Sequence, residues 1–340
     1  MRSEVLLMLF LCIVFLFLAQ SCKSKEKYPY TPEDFRPELQ EPLQKIASRN
    51  TTDYLNESRS EAYIREHATQ EELLQIIQSK NSVLRAIGFD ILVARKDSSL
   101  FSQVLTHLSD TATVEIWSDD VAYMYNVADY VIDKSLHKLT QIQKDSLANL
   151  LLYQYSRLQN TFYMLEFLPP QEQHYRAIRQ LAQIPFDGCN QERVLIALAR
   201  YKKIQDIELL SSIYGKEDQH CWFGIFRSIE QFPEPAFFPV LQTHLEQVVS
   251  KNAPFISDDI EIYCRAVAAY QNAEVLQLLE TILQKNYSGN GKKHVFQALH
   301  KHLCPIYQHL YNQLKPQMDP FVIKYADKDF NWERSQWNIW

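Results

Sequence analysis

The sequence predicts an all-α protein, an α-solenoid of stacked antiparallel helical hairpins. Three observations predict it. First, apolar residues recur at i, i+3, i+4 and i+7: Phe101, Val104, Leu105 and Leu108; Val194, Ala197, Leu198 and Tyr201; Trp222, Ile225, Phe226 and Ile229; Val275, Leu278, Leu279 and Ile282; Tyr307, Leu310, Tyr311 and Leu314. Each set lays one stripe on a helix. No stretch alternates convincingly with period two, so no sheet is expected. Second, the helices recur in pairs. Tyr201 is followed eight and nine residues on by Leu209-Leu210, Phe232 by Val240-Leu241, and Tyr270 by Leu278-Leu279, with steps of 31 and 38 residues between anchors. A hairpin repeated at that period must stack on its neighbours, because alone it cannot bury its apolar face. Third, there are six glycines in 340 residues, against about 24 at average usage. That excludes a glycine-rich nucleotide fingerprint, a P-loop and a turn-rich sandwich.

Composition adds bounds. With 46% apolar and 22% charged residues the chain is globular, and its length suits one large or two ordinary domains. Forty-one acidic and 35 basic side chains give −6, so no nucleic-acid partner is expected.

The first element is Val5 to Ala19, a run of 15 residues without a charge, after Arg2. A spanning helix needs about 20 apolar residues, so the run suits a secretory signal peptide. Leu18-Ala19-Gln20-Ser21-Cys22 closes it. This segment resembles a bacterial lipoprotein signal, whose lipobox ends at a cysteine that is acylated and becomes the first mature residue. Gln20 departs from the pattern in a way that Bacteroidetes-type lipoboxes tolerate. The resemblance implies a signal peptide over 1–21, palmitate-type acylation of Cys22, and a membrane as partner through that lipid anchor. Lys23 stands where an inner-membrane retention aspartate would be, which implies the outer membrane. Lys23-Ser24-Lys25-Glu26-Lys27 lacks the acidic cluster of surface export, which implies the periplasmic face. An uncleaved signal anchor with an incidental cysteine is the alternative.

Residues 22–60, marked by Pro29, Pro32, Pro37 and Pro42, read as a polar tether and first helix. Thr31-Pro32-Glu33-Asp34, Thr69-Gln70-Glu71-Glu72 and Asp258-Asp259-Ile260-Glu261 are helix starts, each with a capping residue followed by acids at the positive end of the dipole. Residues 61–315 form the array, with Pro169, Pro170, Pro185, Pro233, Pro235, Pro254, Pro305 and Pro316 in its connections or at its end. Ser82 to Leu92 (SVLRAIGFDIL) is similar to the second half of the HEAT-like pattern. Leu105-Thr106-His107-Leu108-Ser109-Asp110 resembles the Leu-x-x-Leu-x-Asp that closes such a unit. Cys264-Arg265-Ala266-Val267-Ala268-Ala269 echoes the first stretch. Elsewhere the arginine is missing, as where Val121 is followed by Ala122. The likeness runs from about residue 70 to 315 and implies an interaction scaffold; it assigns no activity. Residues 316–340 are aromatic-rich, with Phe321, Tyr325, Phe330, Trp332, Trp337 and Trp340. The three tryptophans either cap the end repeat or form a docking arm.

Side chains that suggest chemistry have simpler readings. Cys189, Cys221, Cys264 and Cys304 fall in separate repeats, where each serves as a small buried residue, although export would also permit disulfides. His300, His302, Cys304 and His309 contain metal-ligand types, but His302 points away from the His300–Cys304 face, so no metal is expected. His174 and His220 are isolated. Ser288-Gly289-Asn290-Gly291-Lys292-Lys293 has the flavour of a phosphate loop without its spacing and reads as a turn. Asp119-Asp120 and Asp258-Asp259 follow serines and read as helix starts rather than catalytic pairs. Asp110-Thr111-Ala112 and Asp145-Ser146-Leu147 resemble the short O-glycosylation motif of exported Bacteroidetes proteins. No catalytic residue or cofactor site is identified. The expected function is a membrane-anchored scaffold for an envelope protein or peptide, with a groove lined by tyrosines and phenylalanines. A glycan-binding lipoprotein using aromatic platforms, or an enzyme with a site assembled from distant helices, are the alternatives.

Overall fold

The computed structural model describes residues 27–49, 51–53, 58–118, 121–185, 190–214, 222–251, 257–285 and 290–326. Cys22, Cys189, Cys221, His220, Trp332, Trp337 and Trp340 lie outside them. The described chain is mostly helical, as expected, with eighteen α-helices and one small sheet among the described residues. Its contacts divide it into two compact units, the first reaching Lys138 and the second starting at Leu139.

The first unit opens with a short 3-10 turn, Pro32–Asp34, capped reciprocally by Thr31 and Asp34. It continues with α1 (Pro37–Ala47), β1 (Thr51–Asp53), α2 (Arg59–His67), α3 (Gln70–Ile76), α4 (Ser82–Arg95), α5 (Leu100–His107), β2 (Thr113–Ser118), β3 (Val121–Asn126) and α6 (Val127–Ser135). The stretch read as tether is packed from Tyr30 onward. Tyr30 bridges to Ser79, and Leu39, Leu43 and Ile46 of α1 are fully buried. Thr69 and Glu72 form the expected capping box of α3. Helix α4 is buried almost all round, from Val83 to Phe89 and again from Ile91 to Val93, because α1, α3 and α6 all pack on it.

The expectation of no sheet is corrected here. β2 pairs antiparallel with β3, from Thr113 opposite Asn126 to Ser118 opposite Val121. It pairs parallel with β1, with Thr51 opposite Glu115. Val114 and Ile116 are buried while Trp117 is exposed, so the period of two is present but only two buried residues carry it. Val121-Ala122, taken as a degenerate repeat, begins β3 instead. Asp119-Asp120, outside the described residues, therefore precede a strand and not a helix.

The second unit contains α7 (Gln141–Tyr153), α8 (Gln159–Phe167), α9 (Glu172–Leu181), α10 (Asn190–Ala199), α11 (Ile207–Tyr214), α12 (Trp222–Gln231), α13 (Phe238–Lys251), α14 (Ser257–Ala268), α15 (Ala273–Lys285), α16 (Gly291–Lys301), α17 (Gln308–Leu314) and α18 (Pro320–Lys324). Every second helix packs on the next: α8 on α10, α10 on α12, α12 on α14 and α14 on α16. Their first residues, Gln159, Asn190, Trp222, Ser257 and Gly291, are spaced by 31 to 35 residues. Val194–Ala199 of α10 and Gly224–Glu230 of α12 are wholly buried, as helices flanked on several sides must be.

Local geometry repeats with the helices. The tyrosine anchors read from the sequence each reach back one period to a carbonyl: Tyr201 Oη donates to Gln171 O at 2.8 Å and Tyr270 Oη to Glu234 O at 2.9 Å. The residue after each, Lys202 and Gln271, adopts a positive φ of 51° and 52°. That left-handed conformation ends a helix and is usually given to glycine; this glycine-poor chain uses long polar side chains instead.

Candidate functional site

Helices α10, α12, α14 and α16 of the second unit are joined by a seam of charge. It starts at α10, where Glu192 Oε2 accepts from the Gly224 backbone N–H of α12 at 3.0 Å. The two helices are close enough there that a Cβ on Gly224 would lie 2.1 Å from Glu192 Cβ, which only glycine avoids. Three residues further along α12, Arg227 Nη1 lies 3.2 Å from Glu230 Oε2. From α14, Arg265 Nε donates to Glu230 Oε1 at 3.0 Å, and Arg265 Nη1 sits 3.7 Å from Glu261 Oε1. From the end of α16, Lys301 Nζ and His302 Nε2 lie 2.8 and 3.3 Å from the same Glu230 Oε1. His294 Nδ1 faces Glu261 Oε2 at 3.9 Å.

Glu230 is the hub. Its side chain is 2% exposed and those of Arg227 and Arg265 are 5% exposed. Burial alone would push its carboxyl up, but the His302 hydrogen bond and the charges of Arg265 and Arg227 outweigh burial and hold it at about 2. A carboxyl held that low is ionised at neutral pH, so it cannot serve as a general acid there and is a weak base. Its chemistry is that of a pin. One carboxylate receives groups from α12, α14 and the end of α16 and so fixes their register.

Beside the seam lies an aromatic enclosure. His244 of α13 has ring centroids of Trp222, Phe226 and Tyr263 at 4.3, 4.9 and 5.8 Å. Burial holds its imidazole down to about 4, from an ordinary value of 6.5. The unfolded chain therefore takes up this proton first as pH falls. The stabilisation is fully present above pH 6.5 and is lost as pH falls toward 4. The expected loss is of order 3 kcal/mol. Melting temperature measured from pH 7 to pH 4 should fall, and His244→Leu should flatten that fall; an unchanged slope in the variant would refute the assignment.

The residues singled out in the sequence are dispersed. His300 Nδ1 meets Tyr311 Oη at 2.9 Å, whereas His302 turns to Glu230. Cys304 opens the 3-10 turn Pro305–Tyr307. Among the described residues, no three His, Cys, Asp or Glu side chains are grouped as metal ligands would be. Cys264 is buried and Cys304 half-buried, both as free thiols. His174 is buried within α9, with no hydrogen-bond partner at Nδ1. The aromatics expected along a groove are mostly core: Tyr214, Tyr263, Tyr307, Phe226, Phe237 and Phe296 are all fully buried. Large rings remove the most apolar surface from water, so the stacked helices use them between layers.

Sequence reading missed Glu230. The signal was Arg265, which a buried position obliges to have a carboxylate partner; Glu230 lies one period upstream of it. Comparison with protein-family models, with curated proteins and with solved structures finds no match to this chain.

Proposed function

We propose that this chain is a membrane-anchored envelope lipoprotein whose helical hairpins form a HEAT-like α-solenoid that binds a protein or peptide. The observation that carries the scaffold reading is the repeated stacking of every second helix at 31 to 35 residues in the second unit. A polypeptide built this way presents an extended surface to a partner. Supporting it in the first unit, the two stretches most similar to the HEAT-like pattern meet through the buried Arg85–Asp110 pair. The lipobox ending at Cys22 supports the anchor, and Lys23 supports outer-membrane placement facing the periplasm. No described helix is long and apolar enough to cross a membrane.

The turns between paired helices carry the exposed side chains Ile204, Leu303 and Ile306, which a bound partner would cover. Cells fed a labelled fatty acid should label the wild-type chain and not Cys22→Ala. Affinity capture from native membranes should retain an envelope protein that Ile204→Glu and Ile306→Glu release. Equal labelling of both chains would remove the anchor; capture unaffected by both substitutions would remove this edge as the binding surface.

A further inference from the structure

Exposed large apolar side chains in the first unit are concentrated. Among its described residues they are Trp117 at 41%, Tyr123 at 48% and Met124 at 66% exposure, all on the β2–β3 hairpin. The register explains the grouping. Trp117 lies opposite Ala122 and Glu115 opposite Met124, on the face turned away from Val114 and Ile116. The latter two are buried against the body, where β2 meets α4. Tyr123 lies opposite Ile116, on the other face, and is exposed at the outermost strand of the order β1-β2-β3.

The position of this hairpin relative to the chain's entry into the fold is the second observation. Lys27 Nζ donates to Ser109 Oγ at 2.6 Å, and the Arg85 guanidinium lies 4.2 Å from the centre of the Tyr28 ring. Asp110, bound to that same Arg85, is next to Ser109. The base of the hairpin is fastened at the same place: Val127 N–H donates to Ala112 O at 2.8 Å and Ala128 N–H to Asp110 O at 3.0 Å. Thus the N-terminal segment and the hairpin leave the body from one locus. Cys22 is five residues before Lys27, a reach of at most about 17 Å. A six-residue strand spans about 20 Å. A body suspended from an acylated Cys22 would hold this hairpin within reach of the lipid surface.

We propose that the outer face of the β2–β3 hairpin lies on the lipid surface to which the chain is anchored, with Trp117 and Met124 at the headgroup boundary. This rests on the lipoprotein reading given above. Tryptophan partitions to that boundary because its apolar ring carries a polar N–H. The anchor and the hairpin then make two attachments that set how the first unit is presented.

The test uses the full-length lipidated protein in phosphatidylethanolamine–phosphatidylcholine vesicles with brominated acyl chains, beside a Trp117→Phe variant and a fatty-acid label on Cys22. The expected result is labelled Cys22 with a quenched, blue-shifted emission component that Trp117→Phe loses. Labelled Cys22 with equal quenching in both proteins would overturn the hairpin contact and leave the anchor standing. An unlabelled Cys22 would overturn the anchor and this proposal together. Trp117-dependent cross-linking of two copies, or Trp117-dependent binding of a glycan, without lipid quenching would assign the face elsewhere and also overturn it.

Discussion

Glu230→Gln is expected to lower the melting temperature of the second unit by about 6–12 °C. Removing one member of a buried ion network leaves its partners charged and unpaired, at a cost of about 3 kcal/mol. One kcal/mol moves the midpoint of a unit of this size by roughly 2–4 °C. Glutamine keeps the shape but presents an amide to Arg265 at 3.0 Å, Lys301 at 2.8 Å and Arg227 at 3.2 Å. Lys301, at 35% exposure, can turn toward water, and Arg265 retains Glu261 at 3.7 Å; these set the estimate at the low end for a buried site. Replacing Arg227 and Arg265 by methionine in the Glu230→Leu background should recover much of the loss, because it removes the stranded charges. A Glu230→Gln protein with an unchanged midpoint would show that the seam is not a pin. The acid dependence has a definite sign. The carboxyl is held below its ordinary value, so its stabilisation is complete above about pH 4.5 and is lost as pH falls toward 2. That window lies below the one assigned to His244, which allows the two to be separated.

Much of the helical body was legible because burial on one stripe leaves a mark every three or four residues. The anchors Tyr201 and Tyr270 were visible as apolar positions at a fixed distance from the next helix. What the sequence did not show is that their hydroxyls reach back to Gln171 and Glu234; a partner one period away leaves no local pattern. Glu230 was illegible for the same reason. Its five residues come from three helices, and of them only Arg265 and His302 had been noticed, neither for this contact. The sheet was missed because β2 offers just Val114 and Ile116 as a buried alternation, against longer helical stripes on either side. The aromatic groove was misplaced for a different reason. Composition counts rings, but burial decides whether a ring is core or surface, and the stacked helices take most of them inward. The Arg85–Asp110 pair was the most legible part of the polar core, since both residues had been marked as pattern positions, although nothing in their spacing showed that they touch.

That pair supports the last expectation. Asp110→Ala should lower the melting temperature of the first unit by about 10–20 °C, from a cost of about 3–5 kcal/mol for a stranded buried charge. Both side chains are 2% exposed. Arg85 Nε and Nη2 donate to Asp110 Oδ2 and Oδ1 at 2.7 and 3.1 Å, a bidentate contact. Nη1 donates to the carbonyls of Ser79 and Lys80 at 2.7 and 2.9 Å. Asp110 Oδ1 also accepts from Ala112 N–H at 3.2 Å, just before β2. Removing the carboxylate therefore strands the guanidinium and loosens the base of the hairpin, whereas Arg85→Met strands the carboxylate and two carbonyls. In a double-mutant cycle, Arg85→Met with Asp110→Ala should cost clearly less than the sum of the single changes. The Tyr28 ring rests on the same guanidinium, so the segment entering the fold at Lys27 should become open to protease in Asp110→Ala and stay protected in Glu230→Gln. Additive single effects, or protection at Tyr28 that survives Asp110→Ala, would mean that this pair does not hold the N-terminal entry in place.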